Sequence, residues 1–396
     1  MKKKFFLLII TIIFTSHLLV SQENSNKIYP QDLNTSNKWW SIFFGNVHKK
    51  ITKKAFEILE KDKNEFPDLF YFKSDIIDGS SDEDGHPTPE HCGGDVYSIW
   101  FSSKIIYDSN NNIKRSISVL RNYQKMNFNE AYENIGVIVH LTQDQAVPPH
   151  ALNILHPYWD QFERYYFDKE FDEVDPFVID ESYIPDNLNP WEYYQWVQDD
   201  TRKNARQWKD PETGEPYWVE SKDAPPLGKD ATYGPHGSYG GGKDHFGKYE
   251  CTQNIYGENE CRFVPKSPQI RRRQLAISAV ATMKLLKSAS KSLPPLIRDI
   301  RIKDSILSFK IYENRCQFVE YRISHYNGRE FENKKIDLET NLFPYSKTIN
   351  LKLPSKGRYL IEITDCDGNK EKSEVINSYI ENMEEKIEKI KNTIFQ

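Results

Sequence analysis

Beyond residue 21 the chain has no apolar run that approaches the ~20 residues a membrane-spanning helix needs. It also lacks a surplus of basic charge: 53 Lys and Arg stand against 58 Asp and Glu, a formal net charge of −5. That balance argues against a generic electrostatic grip on nucleic acid, which depends on neutralising phosphates. No tandem repeat is evident. Cysteine is sparse: Cys92, Cys251, Cys261, Cys316 and Cys366. An odd count leaves one thiol over if disulfides form. Cys251 and Cys261 bracket the polar segment TQNIYGENE and make one candidate pair; Cys316 and Cys366 make a second. Cys92 is then left over, either buried and inert or, beside His91, close to a metal.

What is present begins with Lys2, Lys3 and Lys4, followed by a short apolar run over 5–20. This is the layout of a secretory signal over 1–21, with cleavage at Ser21. No Cys follows it, which argues against a lipid anchor. The mature chain is expected to be secreted, extracellular or periplasmic. Residues 22–38 are polar and read as a linker or propeptide. From Trp39 the apolar spacing turns helical, with Val47, Ile51, Ala55, Ile58 and Leu59 on one stripe. Residues 114–125, 129–147 and 270–293 also read as helices, the last stopped by Pro294 and Pro295.

Between 175 and 268 the chain is rich in Trp, Tyr, Gly, Pro and Asp. Within it NPWEYYQWVQDDTRKNARQW reads as a helix. KDATYGPHGSYGGGKDHFGKYEC reads as a long loop, either shaping access to a site or forming a disulfide-tied surface insertion. After Pro295 five short alternating runs, IRDIRI, ILSFKIY, FVEYRIS, KTINLKL and RYLIEIT, are parted by turn signals such as NG and DG. They predict a small β-sandwich over 294–373. Residues 374–396 read as a charged amphipathic helix. The fold class expected is therefore a mainly α domain over 39–293 followed by a small C-terminal β-sandwich.

Histidine is unevenly placed. Six of the ten fall between His48 and His156. His140, Asp144 and His150 lie in HLTQDQAVPPH, and His156 opens HPYWD, which ends at Asp160. His140 and Asp144 are four apart, so on a helix they share a face, and His156 and Asp160 repeat the spacing. Imidazole nitrogens and carboxylate oxygens are the ligand set of a hydrolytic zinc centre.

In this arrangement the chain resembles the zinc-dependent phospholipase C and P1 nuclease family, over roughly residues 39–290. The specific element is His-x3-Asp-x5-His followed by His-x3-Asp/Glu. Upstream, Trp39 or Trp40, His48, GSSDED ending at Asp84, and His91 fit the family order. The resemblance implies a mostly helical fold around a three-zinc cluster. It would give Asp84, His91, His140 and Asp144 to one ion, and His150, His156 and Asp160 to a second. His48, Asp144 and the Trp terminus would hold the third, with Asp144 bridging. Asp84 would be the general base that orients or deprotonates the attacking water.

Three departures bear on that assignment. Trp39 and Trp40 offer an amine only if 22–38 is removed, so three zincs require processing there and two are expected otherwise. The gap from His150 to His156 is short, which leaves Glu163 open as a substitute or supplement for Asp160. In the acidic run DGSSDEDGH, His86 is an alternative to His91. A calcium loop is a rival reading of that run, but it lacks EF-hand spacing. The activity implied is hydrolysis of phospholipid at a membrane surface, with single-stranded nucleic acid as the alternative substrate. An inert secreted zinc-binding protein is the reading outside enzymes. No obligate protein partner is indicated.

Overall fold

The computed structural model describes residues 45–85, 114–154, 162, 180–229, 237–242, 247–253, 259–265, 268–340 and 343–377. The expectations for 1–38, Trp39, Trp40, His86, His91, Cys92, His156, Asp160, Glu163 and 378–396 lie outside those residues. No helix of the described residues is long and apolar enough to cross a membrane.

The first lobe is helical. Helix α1 (Gly45–Leu59) buries Val47, Ile51, Ala55, Ile58 and Leu59, the stripe expected from its 3–4 spacing, and Phe56 as well. Helices α2 (Pro67–Tyr71), α3 (Lys73–Gly85) and α4 (Lys114–Gln124) follow. The buried helix α5 (Phe128–Asp144) lies against them. Val147 is extended, as a residue before proline must be, and Pro148 then starts the one-turn helix α6 (Pro148–Ala151). The helix expected over 129–147 therefore ends at Asp144.

Helix α7 (Pro190–Ala205) starts with a complete capping box. Asn189 accepts from the Glu192 amide, Glu192 reaches back to the Asn189 amide, and Pro190 occupies the first turn. Helix α8 (Pro268–Lys291) is rich in small residues and buries its middle, from Leu275 to Leu286, against the same core.

The glycine-rich stretch is not a simple loop. β1 (Trp218–Val219) pairs with β2 (Ser238–Tyr239), and β3 (Gly247–Gln253) with β4 (Asn259–Pro265), both antiparallel. Cys251 and Cys261 are register partners in the second pair. Gly237 donates its amide to Leu152 O (3.2 Å), and Tyr217 and Trp218 pack with Leu152 and Ile154. This segment is thus tied to the chain that leaves α6.

The second lobe holds two antiparallel sheets. One contains β5 (Leu296–Lys303), β6 (Ile306–Glu313) and β9 (Tyr345–Lys352) in the order β5-β6-β9. The other contains β7 (Phe318–His325), β8 (Glu330–Asp337), β10 (Gly357–Thr364) and β11 (Lys370–Asn377) in the order β11-β10-β7-β8. Leu307, Phe309 and Ile311 from the first sheet share one apolar core with Val319, Ile323, Tyr359, Ile361 and Ile363 from the second. Their period-2 burial is the signature of packed sheets. A disulfide joins Cys316 to Cys366. Residues 374–377, expected to open the C-terminal helix, belong to β11.

The lobes meet through buried polar contacts. Asp68 Oδ2 accepts from Tyr132 Oη (2.8 Å), Ser290 Oγ (2.7 Å) and, from the β lobe, Asn314 Nδ2 (2.9 Å). Asn369 Nδ2 donates to Lys291 O (2.6 Å), and Phe343 stacks on Tyr71 at 4.8 Å.

Candidate metal centre

The site is assembled where α1, α3, α5 and α8 converge. Helices α3 and α5 come together at Gly79 and Gly136. A Cβ on Gly136 would lie 2.3 Å from Ile76 O, and one on Gly79 would lie 2.1 Å from Glu133 O. Only a bare Cα allows that approach. One residue beyond Gly79, the Ser80 carbonyl reaches His140 Nδ1 at 3.0 Å. His140 stands one turn after Gly136 on the same helix and is fully buried.

Asp144 follows a further turn along. Its Oδ2 lies 3.4 Å from His140 Nε2, and its Oδ1 lies 3.4 Å from His48 Nε2, brought across by α1. The two imidazole rings stack with centroids 4.0 Å apart. Ligand atoms of His48, His140 and Asp144 all lie within 4.8 Å of one another. His48 and Asp144 retain 14% side-chain exposure and His140 none, so the open side of the cluster is that of His48 and Asp144.

Hydrogen bonding sets the chemistry of the rings. A carbonyl can only accept, so a neutral His140 carries its proton on Nδ1 toward Ser80 and turns the Nε2 lone pair toward Asp144. His48 Nδ1 meets Gln143 Oε1 at 2.9 Å, with the same consequence for its Nε2. Burial pushes the Asp144 carboxyl up, but the positive charge of His140, His150 and His48 in their protonated forms outweighs it and holds Asp144 well below the usual carboxylate range; with the imidazoles neutral, a bound cation would have to supply that charge. An ionised carboxylate facing two imidazole lone pairs is repulsive unless a positive charge lies between them. This donor set, nitrogen and anionic oxygen, fits zinc.

No protein-family model matches the chain, and no curated protein matches it. Among solved structures, a Clostridium perfringens alpha-toxin from an avian strain is 15% identical with a TM-score of 0.33, covering 85% of this chain and 96% of that one. The alpha toxin of Clostridium absonum is 13% identical with a TM-score of 0.35, covering 83% of this chain and 94% of that one. Likeness at this level assigns neither fold nor activity.

Of the residues singled out in the sequence, the structure brings together His48, His140 and Asp144. His150 stands on α6 and contributes to the field at Asp144. Asp84 lies in the last turn of α3, with its side chain outside the described residues. Among the described aromatics of the 184–260 stretch, Trp191, Tyr193, Tyr194, Tyr217 and Trp218 are buried in the core. Ser80, Gln143, Thr52 and Thr282, which touch the candidate ligands or one another across 60 to 139 residues of chain, carried no functional signal in the sequence. The one signal available was Gly136, a glycine inside the helical pattern of 129–147.

Proposed function

We propose that the chain is a zinc-dependent phosphodiester hydrolase of the phospholipase C type. One observation carries this reading: Asp144 offers a different oxygen to each of two imidazoles, both at 3.4 Å. Two ligands bound at ~2.0–2.1 Å to a tetrahedral zinc stand about 3.4 Å apart. Each N···O pair therefore has the span of one edge of a zinc site. A carboxylate used through both oxygens suits a bridge between two ions. The resemblance of HLTQDQAVPPH to the family motif implies the same.

In this reading His48 serves one ion and His140 another, and His150 follows on α6. Asp84, His91, His156 and Asp160 complete the set, with His86 and Glu163 as alternatives and Trp39 or Trp40 for a third ion after processing. When bound, zinc lowers the pKa of a coordinated water to near neutrality and offsets the charge that grows on phosphate. The residues supply the rest. Asp144 remains ionised, His140 and His48 hold their protons on Nδ1, and Asp84 accepts the proton of the attacking water. Lipid is the proposed substrate because of the HPYWD form of the motif and the appended β lobe.

The test is an assay of the zinc-loaded protein on phosphatidylcholine vesicles and on single-stranded DNA, with and without chelator. Release of phosphorylcholine that chelator abolishes is the expected result. Cleavage of DNA with lipid untouched would make the protein a nuclease. Tightly bound zinc without turnover of either substrate would overturn the hydrolase reading.

A further inference from the structure

We infer that Gln143 is a positioning residue that sets the tautomer of His48, and that it does so because Thr52 and Thr282 fix the orientation of its amide. The inference rests on the metal-centre reading above and adds to it a residue that binds no metal.

Gln143 lies beside Asp144 on α5 and is 2% exposed. Its side chain makes three hydrogen bonds to two other helices. Oε1 faces His48 Nδ1 at 2.9 Å, and Nε2 donates to Thr52 Oγ1 at 3.0 Å and Thr282 Oγ1 at 3.1 Å. Thr52 is one turn beyond His48 on α1, and Thr282 comes from the middle of α8. Both are fully buried.

An amide has two N–H groups and one carbonyl oxygen. With both N–H groups directed at threonine oxygens, only the oxygen is left for the imidazole. His48 must then donate from Nδ1, and its Nε2 is the lone-pair nitrogen, 3.4 Å from Asp144 Oδ1. The reversed amide would aim an N–H at Nδ1, move the imidazole proton to Nε2 and close that nitrogen to a cation. The threonines decide between the two. In the structure both hydroxyls accept from the Gln143 amide. A threonine inside a helix can give its own proton to the carbonyl one turn back, which leaves its lone pairs for that acceptor role. The choice of tautomer at His48 thus depends on a hydroxyl of α8, a helix that contributes no ligand to the cluster of His48, His140 and Asp144.

The experiment uses the full chain. Long-range proton–nitrogen spectra of the metal-free protein, labelled with nitrogen-15 at histidine, report which ring nitrogen of His48 carries the proton. The His48 signals are assigned by their loss in His48→Asn. Zinc affinity is then measured by competition with a chromophoric chelator. The wild type is expected to show the Nδ1–H form. Gln143→Leu and Thr282→Val should shift His48 toward Nε2–H and weaken zinc binding about 10–100-fold, the usual effect of losing a partner that orients a ligand. Thr282→Ser keeps the hydroxyl and should restore both.

An unchanged His48 tautomer in folded Thr282→Val overturns the proposal, and so does equal zinc affinity in Thr282→Val and the wild type. The threonine pair keeps the test decisive even if Gln143→Leu does not fold. A wild-type protein that shows the Nδ1–H tautomer yet takes up no zinc overturns the metal reading instead, which separates the two failures.

Discussion

At the scale of single residues, Asp144 does the most. Among the described residues it is the anion set between His48 and His140, and the charge of the protonated imidazoles around it outweighs burial and keeps it ionised. Asp144→Asn keeps the shape and removes the charge that offsets a bound cation. Zinc affinity is expected to fall by more than the ~10–100-fold that follows loss of an orienting partner. A ligand that binds only the folded state raises its stability. Chelator should therefore lower the melting temperature of the wild type and leave that of Asp144→Asn unchanged. An equal chelator response in the two proteins would remove Asp144 from the site. His140 and Asp144 were legible as candidate ligands because their types and spacing carry chemistry by themselves, and His48 because the family resemblance placed it in order upstream. Gln143, Ser80, Thr52 and Thr282 were not, because a neutral side chain or a backbone carbonyl acquires a role only from what folding places opposite it.

At the scale of elements, the crossing of α3 and α5 sets the site. The bare Cα atoms of Gly79 and Gly136 let the helices approach until the Ser80 carbonyl meets His140. Gly136→Ala places a methyl 2.3 Å from Ile76 O and 2.8 Å from Ser80 N, so the backbones must separate. The expected cost is about 1–3 kcal/mol, typical of overpacking. Zinc affinity should fall with it, because the carbonyl that holds His140 moves away. Denaturant melts and a zinc titration check both, and a variant as stable and as tight as the wild type would show that the crossing has room to spare. Two strands of the second lobe also escaped the sequence pattern. β8, EFENKKID, and β11, KEKSEVIN, carry charge on both faces and hide the alternation. They are the two edges of the four-stranded sheet, where charge guards against pairing with another chain.

At the scale of the molecule, the two lobes close over acidic groups. Glu313, at the end of β6, is 1% exposed, and its Oε1 accepts from the amides of Arg315 and Cys316. Burial pushes its carboxyl up to about 8, those two amides pull against the rise, and Asp365 and Asp68 add to it. Asp68 is raised as well, again by burial first. The sign follows from proton counting. Between the unfolded value of 4.5 and about 8, the native state holds a proton that the unfolded chain has released. Stability from this group is complete below 4.5 and is lost as pH rises through that window, by roughly 3 kcal/mol between pH 4.5 and 7. Glu313→Gln should flatten the decline in denaturant midpoint measured from pH 5 to pH 8. An identical slope in both proteins would mean that Glu313 does not carry it.

Periodicity and residue chemistry, both local properties, were enough to predict a helical lobe followed by antiparallel strands and to select the imidazoles and the carboxylate. Residue spacing along a helix or a strand is written into the chain, so pattern can report it. The tertiary structure alone decided which tautomers the histidines adopt, where α3 and α5 touch, and that a hydroxyl of α8 supports His48. Those outcomes depend on atoms 60 to 139 residues apart meeting within 3.1 Å, and no local pattern encodes such a meeting.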